Sequence, residues 1–556
     1  MQTHLIEGRE AFKALRSNWN ELYNKDPSAQ YFLSWQWLSR LYNRNTANLV
    51  ILAARPSSSA PYVALFPLRI RTRYSQTGNF YYNDIIMAGN FAADYTGFLC
   101  DPEYDSAALP ALGRHLAKMD WAQILLENLY CSEERLALLT GPLQQGAVRT
   151  SNPSRTNKRD NVNNLVCPVL ELPETFDAYL DTCLSSNTRQ KLRRFARKVK
   201  ADPSYKFTIA TPETVDRDID ILMGFWHTKW AARKGDKIDT LATTSRHMLK
   251  AASAARTLFL PVLWHEDRPL GALASFMDPV REALLFALAG RDESWTTPPP
   301  GLLLHGFSIN WAINNGFKTY DFLRGNEPYK YSLGAQDRRI HCQLIETKSG
   351  RNRSGKLDKR SLPGVLKTTV RDYRSNRRQQ ALAGLNQVLA TDPDHPQALY
   401  YYGQHQMAER DYKGAVQTFS RLTQNQPQNA LAWLRLGQCQ YGQKDLIEAE
   451  VAVRQALLLE PANMAARSQL ADTLLAMRHK QEATAAYQSV LALPPKTPAE
   501  HKLVQRATTA LSRLRPVATA PILAAASPLS PNRLQQAQTG LHKPIIKTGR
   551  PPTRLN

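Results

Sequence analysis

Apolar and polar positions follow two rhythms along this chain, and the change of rhythm divides it. Up to about residue 348, short apolar runs suited to strands are interleaved with stretches of helical spacing. In the first half the pattern predicts strands over 48–54, 62–71, 98–100 and 123–129 and a helix over 107–118. In the second half it predicts helices over 175–185, 188–200, 214–233 and 302–315, with strands over 206–210, 257–265, 268–278, 282–289 and 319–322. Such mixing predicts two similar α/β lobes, 1–172 and 173–348. A longer period then takes over: Pro393, Pro427, Pro461 and Pro495 stand 34 residues apart, as expected of stacked helix pairs each closed by a proline.

Within that period, Leu399, Tyr402, Gly403, Ala415, Phe419 and Leu422 recur in register as Trp433, Leu436, Gly437, Ala449, Val453 and Ala456, and again around Leu470, Ala471, Ala483, Tyr487 and Val490. Small residues fall where paired helices must approach, and large ones fill the groove between pairs. The pattern resembles tetratricopeptide repeats. A half repeat (Ala381, Leu385, Val388) precedes it and a capping helix over 500–514 follows, so an all-α TPR solenoid is expected over 379–515, and through it a protein partner.

Charge changes the picture at the edges. Lys and Arg number 71 against 48 Asp and Glu, a net charge of +23, which suits an anionic partner. Much of the excess lies in 349–378, expected to be a solvated basic linker with a helix from Val365 onward, and in 516–556, rich in Pro, Ala, Ser and Thr without an acid and expected to be a disordered basic tail. The runs carry no nucleic-acid-binding signature, so no specific nucleic acid is expected, while peripheral membrane association through the basic regions stays open. The apolar runs are too short for a membrane span. The N-terminus has Glu7 and Glu10 and no apolar signal region, so a cytoplasmic location is expected. The six cysteines show neither metal-ligand nor disulfide-framework spacing, and no metal is expected.

Candidate chemistry concentrates in 287–335. A strand ends near Ala289, Pro298 to Gly301 makes a stiff loop, and a helix opens at Leu302. Free backbone N–H groups at Gly301, Leu302 and Leu303 would suit a pyrophosphate, although an ordinary strand–loop–helix connection gives the same pattern. Further on, Asp321 ends a strand before Arg324-Gly325, and Glu327, Tyr329 and Lys330 follow. Acyl transfer needs a proton acceptor, a proton donor and clamps for the substrate. Asp321 or Glu327 fits the first role, Tyr329 the second, and Arg324 with Lys330 the third; the competing reading is a structural ion pair between Asp321 and Arg324. His227, between Trp226 and Trp230, is a second catalytic candidate, and His305 a weaker one. The basic helix 189–200 offers Arg189 and Arg193 either as an electrostatic funnel for phosphates or as part of a solvated face.

Pro300 to Leu303, Asp321 to Gly325 and Glu327 to Lys330 closely resemble the signature of the CelD/BcsL-type acetyltransferases, a cellulose-biosynthesis-associated branch of the GNAT superfamily. Weaker resemblance runs through Phe225-Trp226-His227, Trp230, Thr188-Arg189, 34–38, Phe66-Pro67-Leu68 and Asp94-Tyr95-Thr96-Gly97, covering about 1–348. It implies tandem GNAT-like lobes of the BioF2-like or FemABX-like double-GNAT kind. It also implies acetyl-CoA or another acyl-CoA as co-substrate, and N- or O-acyl transfer to a glycan or amine acceptor: a polysaccharide, amino sugar or lipid-linked precursor of cell-envelope or exopolysaccharide biosynthesis. By the same analogy Asp94 and Glu127 belong to the acceptor side. The phosphate loop departs from the common Arg/Gln-x-x-Gly-x-Gly/Ala form, having only Gly301. That leaves a FemABX-like aminoacyltransferase using charged tRNA, or an inactive GNAT scaffold serving a TPR adaptor, as alternatives.

Overall fold

The computed structural model describes residues 1–44, 48–89 and 93–514; the tail expected over 516–556 lies outside the described residues. The chain forms two compact units, Met1–Tyr402 and Gly403 onward. The first is an α/β unit built on two eight-stranded sheets, and repeat helices follow.

The two sheets repeat one plan. In the first, Gln2–Glu7, Leu49–Arg55, Ala64–Ser75 and Phe80–Met87 pair antiparallel in sequence order. Helix Asp105–Lys118 then crosses over, so that Gln123–Leu129 joins parallel to Phe80–Met87. In the second, Tyr205–Ile209, Pro261–His265, Arg268–Asp278 and Ala283–Arg291 are antiparallel. Helix Pro300–Asn314 crosses over, and Thr319–Asp321 returns parallel to Ala283–Arg291. A parallel pair needs such a crossover, which explains why each lobe has one long helix at that point.

The lobes exchange strands. Val166–Glu171 pairs with Thr319–Asp321 in the second sheet, and His341–Thr347 pairs with Gln123–Leu129 in the first. A division at 172/173 and 348 therefore does not follow the sheets. Neither Val166–Glu171 nor His341–Thr347 is among the expected strands, and a run buried along almost its whole length, such as Val166–Glu171, carries no local mark of the sheet it will join.

Residues 349–378 are not a solvated linker. Asn352, Asp358 and Ser361 are buried. Leu357 and helix Leu362–Arg374 place Leu362, Val365, Leu366 and Val370 in one apolar cluster with Tyr81 of the first sheet and with Leu385, Val388 and Ala398. Asn83 is the polar anchor. Its backbone N–H donates to Asn352 Oδ1 at 2.8 Å, its Nδ2 to Ser361 Oγ at 2.6 Å, and its Oδ1 accepts from Asn352 Nδ2 at 2.9 Å and Asp358 N at 2.9 Å. The ten basic residues of the segment masked the apolar stripe at Leu362, Val365, Leu366 and Val370.

The repeat helices run from Arg378–Thr391 to Lys480–Leu491, and Pro498–Arg513 closes the series behind a Thr497/Glu500 capping box. The small residues act as expected: a Cβ at Gly437 would meet Val453 Cγ2 at 2.5 Å, so helices Ala430–Gln443 and Leu446–Leu459 approach there only because glycine leaves room. The first repeat helix also belongs to the α/β unit, since Gln387 bonds both the backbone N–H and C=O of Tyr81, at 2.7 and 2.8 Å. Among the described residues no helix is long and apolar enough to cross a membrane. All six cysteines are free, and the described residues contain no cluster suited to a metal ion.

Candidate active site

The site originates where the parallel pair of the second sheet splits. Ala283–Arg291 and Thr319–Asp321 pair only through Ala283, Leu284 and Leu285. Beyond that point the first strand continues to Arg291, while the second turns away through Leu323 (φ 57°) and Gly325 (φ 100°). The turn is fixed by Leu323 N–H donating to Asp321 Oδ1 at 2.8 Å and by Gly325 N–H donating to the Val166 carbonyl at 2.8 Å. A register shift opposite Ala274/Ser275 leaves Ala287 bulged on the wall of the gap. The result is a cavity of about 800 Å³ lined on one side by 286–291, on the other by 322–324 and 327–330, and at one end by Gly301 and Leu302.

A third wall is helix Val215–Lys234, whose Trp226, Lys229, Trp230 and Arg233 share one face by helical spacing and line the cavity. The helix lies close because of Gly290: a Cβ there would meet Phe225 Cβ at 2.6 Å and the Leu222 carbonyl oxygen at 2.9 Å. His227 is one residue off that face. It points to solvent, with Nε2 3.2 Å from Asp239, and does not line the cavity.

At the Gly301 end, helix Pro300–Asn314 begins without a side-chain cap, so the Gly301 and Leu302 amides have no capping acceptor. Arg291 Nη1 lies 3.8 Å from where a Gly301 Cβ would sit, and Arg291 and Lys229 share Glu293 at 2.9 and 4.0 Å. Helix amides beside two cations, both of which share Glu293, are a donor set that phosphate oxygens could accept from. Leu303, the third residue expected there, is instead a core residue packed with Leu263 and Leu270. Arg189 and Arg193 are also elsewhere, both paired with Asp181 at 3.2 and 3.0 Å and absent from the cavity wall. Helix Ser186–Ala201 packs Leu192 against Gly306, and this turns the two arginines outward.

The strand-end cluster separates into two groups. Asp321 is buried at the seam between the lobes, where it accepts from Tyr95 Oη at 2.8 Å and pairs with Arg338. Burial and the Asp321 charge push the Tyr95 hydroxyl well above its ordinary range. Burial works against the Arg338 charge, but Asp321 and Tyr95 beside it hold the guanidinium protonated. Asp321 is not among the cavity residues, and its ion-pair partner is Arg338 rather than Arg324. Arg324 pairs across the seam with Asp94 at 2.6 Å, and both of these line the cavity. The segments Asp94–Tyr95 and Asp321–Arg324, far apart in sequence, thus meet as one contact. Glu127, with Arg155 at 2.7 Å, lies outside the cavity.

Glu327, Tyr329 and Lys330 do line it. Lys330 is buried, donating to the Arg324 and Gly325 carbonyls at 2.9 and 2.8 Å and lying 3.0 Å from Glu327. It holds the turn together, and Glu327 keeps a half-exposed carboxylate on the cavity side. Tyr329 keeps part of its surface in solvent, but desolvation inside the cavity, then the neighbouring Glu327, raises its phenol, so it is protonated at neutral pH.

His305, one turn inside the helix, is a wall residue of the same cavity. It is buried among Phe286, Phe322 and Tyr329, with Nδ1 2.9 Å from Tyr320 Oη. Burial, then Lys330, pushes its imidazole down to about 3, so it is neutral at physiological pH. Unfolding restores an ordinary value near 6.5. The unfolded chain therefore takes up a proton below that pH while the folded one does not, and stability is lost as pH falls from about 6.5 toward 3. At pH 5 the loss from this group is expected to be about 2 kcal/mol. Urea unfolding of His305→Gln at pH 7 and pH 5 should show that part of the dependence removed. Arg291 and Lys229 escaped the sequence reading because each stands among other charges. Only its position at the end of a strand before the proline loop distinguishes Arg291.

Residues 186–331 match the family model described as Acetyltransferase (GNAT) domain. Residues 371–430 and 406–458 match two models described as Tetratricopeptide repeat. The comparison with curated proteins returned no match. Among solved structures, FemX is 9% identical, over 62% of this chain and 97% of that one, with a TM-score of 0.42. A conserved protein of unknown function from Bacteroides thetaiotaomicron is 12% identical, over 60% of this chain and 97% of its own, at 0.38. The Yersinia enterocolitica type III secretion chaperone SycD, solved with a peptide of the translocator YopD, is 19% identical over 21% and 88%, at 0.20. The chain thus carries a GNAT-type acetyltransferase domain at 186–331, followed by tetratricopeptide repeats.

Proposed function

We propose that the protein is an acyl-CoA-dependent N- or O-acyltransferase whose donor lies in the 800 Å³ cavity, with its phosphates at Gly301, Leu302 and Arg291. The observation that carries this reading is the uncapped helix start at one end of a cleft that has a carboxylate and a protonated phenol at the other. The co-substrate supplies an activated acyl group as its thioester. Glu327 accepts the proton of the acceptor amine or hydroxyl as the new bond to the acyl carbon forms, and Tyr329 donates its proton to the sulfur as the C–S bond breaks. Arg324 and Asp94 fix the wall opposite, and Lys330 and neutral His305 hold the turn and the aromatic floor. The resemblance to CelD/BcsL-type enzymes supports a glycan, amino-sugar or lipid-linked acceptor in envelope or exopolysaccharide synthesis, and the repeats support docking of a protein partner.

The test is a screen of acceptors with acetyl-CoA, read by mass spectrometry, alongside Glu327→Gln. That variant should lower turnover per folded molecule about 10²-fold, because a positioned base contributes about that much; Lys330 keeps its carbonyl acceptors but loses this carboxylate, so thermal unfolding is followed alongside. An unchanged rate would move the base to another cavity group, Asp94 first.

A further inference from the structure

A second cavity of about 330 Å³ adjoins the first, and the two share Asp160, Val162, Trp230, Arg233 and Glu327. Its outer wall is the hairpin of Thr156–Asn157 and Val162–Asn163, which faces the end of helix Val215–Lys234. The charges on this wall do not balance. Arg233 is taken by Asp160 and Glu327 by Lys330. Arg159 and Lys234 then remain as cations with no carboxylate partner among the described residues. Lys234 Nζ stands 5.3 Å from the Trp230 ring centre, which holds it over an aromatic surface. Asn157 fixes the backbone of the hairpin turn at Arg159, accepting from the Arg159 backbone N–H at 3.1 Å and donating to Asp160 Oδ2 at 2.7 Å.

We infer that this smaller cavity is the acceptor subsite, and that it takes an acceptor carrying a phosphate or carboxylate group, recognised by Arg159 and Lys234, with its nucleophile delivered at Glu327. The inference rests on the acyltransferase reading and adds the acceptor's charge to it. Arg159 and Lys234 are solvent-exposed, and two unpaired cations on one wall of a cleft favour an anion over a neutral molecule of the same shape. The position of Glu327 on the wall shared by both cavities puts the base between the donor and acceptor spaces.

The experiment is calorimetric titration of the full chain, with CoA bound, using glucosamine, glucosamine 6-phosphate and 2-amino-2-deoxyglucuronate. The two charged probes separate phosphate from carboxylate as the preferred anion. At least one should bind about tenfold or more tightly than glucosamine, and Arg159→Ala or Lys234→Gln should remove most of that preference while leaving CoA affinity unchanged. Equal binding of all three probes, no detectable binding of either charged one, or a preference that survives both substitutions overturns the inference. A parallel loss of CoA affinity in the variants also overturns it, by assigning the cavity to the donor. Failure of the unmodified protein to bind CoA at all would instead strike the acyltransferase reading.

Discussion

A chain ended after residue 350 should fail to give a stable α/β unit, whereas one ended after Arg410 should fold. The first cut removes the partners of Asn83 and Tyr81: four hydrogen bonds to Asn83 and two from Gln387 to the Tyr81 backbone. It also strips Leu357, Leu362, Val365 and Leu366 from the cluster around Tyr81. At about 1 kcal/mol net per hydrogen bond and about 2 kcal/mol for re-exposing the Tyr81 side chain, the loss is about 8 kcal/mol. That is comparable with the whole stability of an ordinary domain. The expectation of a solvated basic linker over 349–378 is thereby reversed, because the basic segment is a structural layer of the first lobe. Soluble yield and urea unfolding of the two truncations provide the check, and Asn352→Ala gives a graded version. That change leaves buried Asn83 groups unpaired, at a cost of about 1–3 kcal/mol.

Asp321→Asn should act on stability before it acts on chemistry. Asp321 is buried, outside the cavity, and tied to Tyr95, Arg338 and the Leu323 N–H. Removing its charge strands the Arg338 guanidinium at the seam between the lobes. Breaking a buried pair from one side costs about 3–5 kcal/mol, and the lower figure applies because part of Arg338 still reaches water. The expected result is a fall of about 3 kcal/mol in unfolding free energy, together with an activity loss that follows the unfolded fraction. Glu327→Gln should show the opposite balance, a loss of turnover far beyond any loss of folded protein, because Lys330 loses a carboxylate but keeps its carbonyl acceptors. A stable Asp321→Asn protein with strongly reduced turnover would return Asp321 to the catalytic group.

The contrast between these two carboxylates shows where reading by sequence holds and where it stops. Strands 123–129 and 268–278 and the long helix ending near Arg233 are legible because their apolar spacing is local. The repeat helices are more legible still, since each small residue recurs with its period. Nothing local tells that Val166–Glu171 will join the second sheet, that His341–Thr347 will return to the first, or that Asp94–Tyr95 will meet Asp321–Arg324. Those pairings depend on chain crossings over long separations. The same holds inside the site. Glu327, Tyr329 and Gly301 line the cavity as their neighbourhood suggested, whereas His227 is turned away by one helical position and Arg189 and Arg193 by the packing of Leu192.

The central claim is that the start of helix Pro300–Asn314 holds the phosphates of an acyl-CoA, and titration of acetyl-CoA into the unmodified protein and into Gly301→Val tests it most directly. A Cβ at Gly301 meets nothing closer than Arg291 Nη1 at 3.8 Å, so the fold should tolerate valine while its branches crowd the Gly301 and Leu302 amides. Saturable binding to the unmodified protein, weakened tenfold or more in the variant at unchanged melting temperature, is the predicted result. No binding of acetyl-CoA or CoA to the unmodified protein, with binding of charged tRNA in its place, would contradict it.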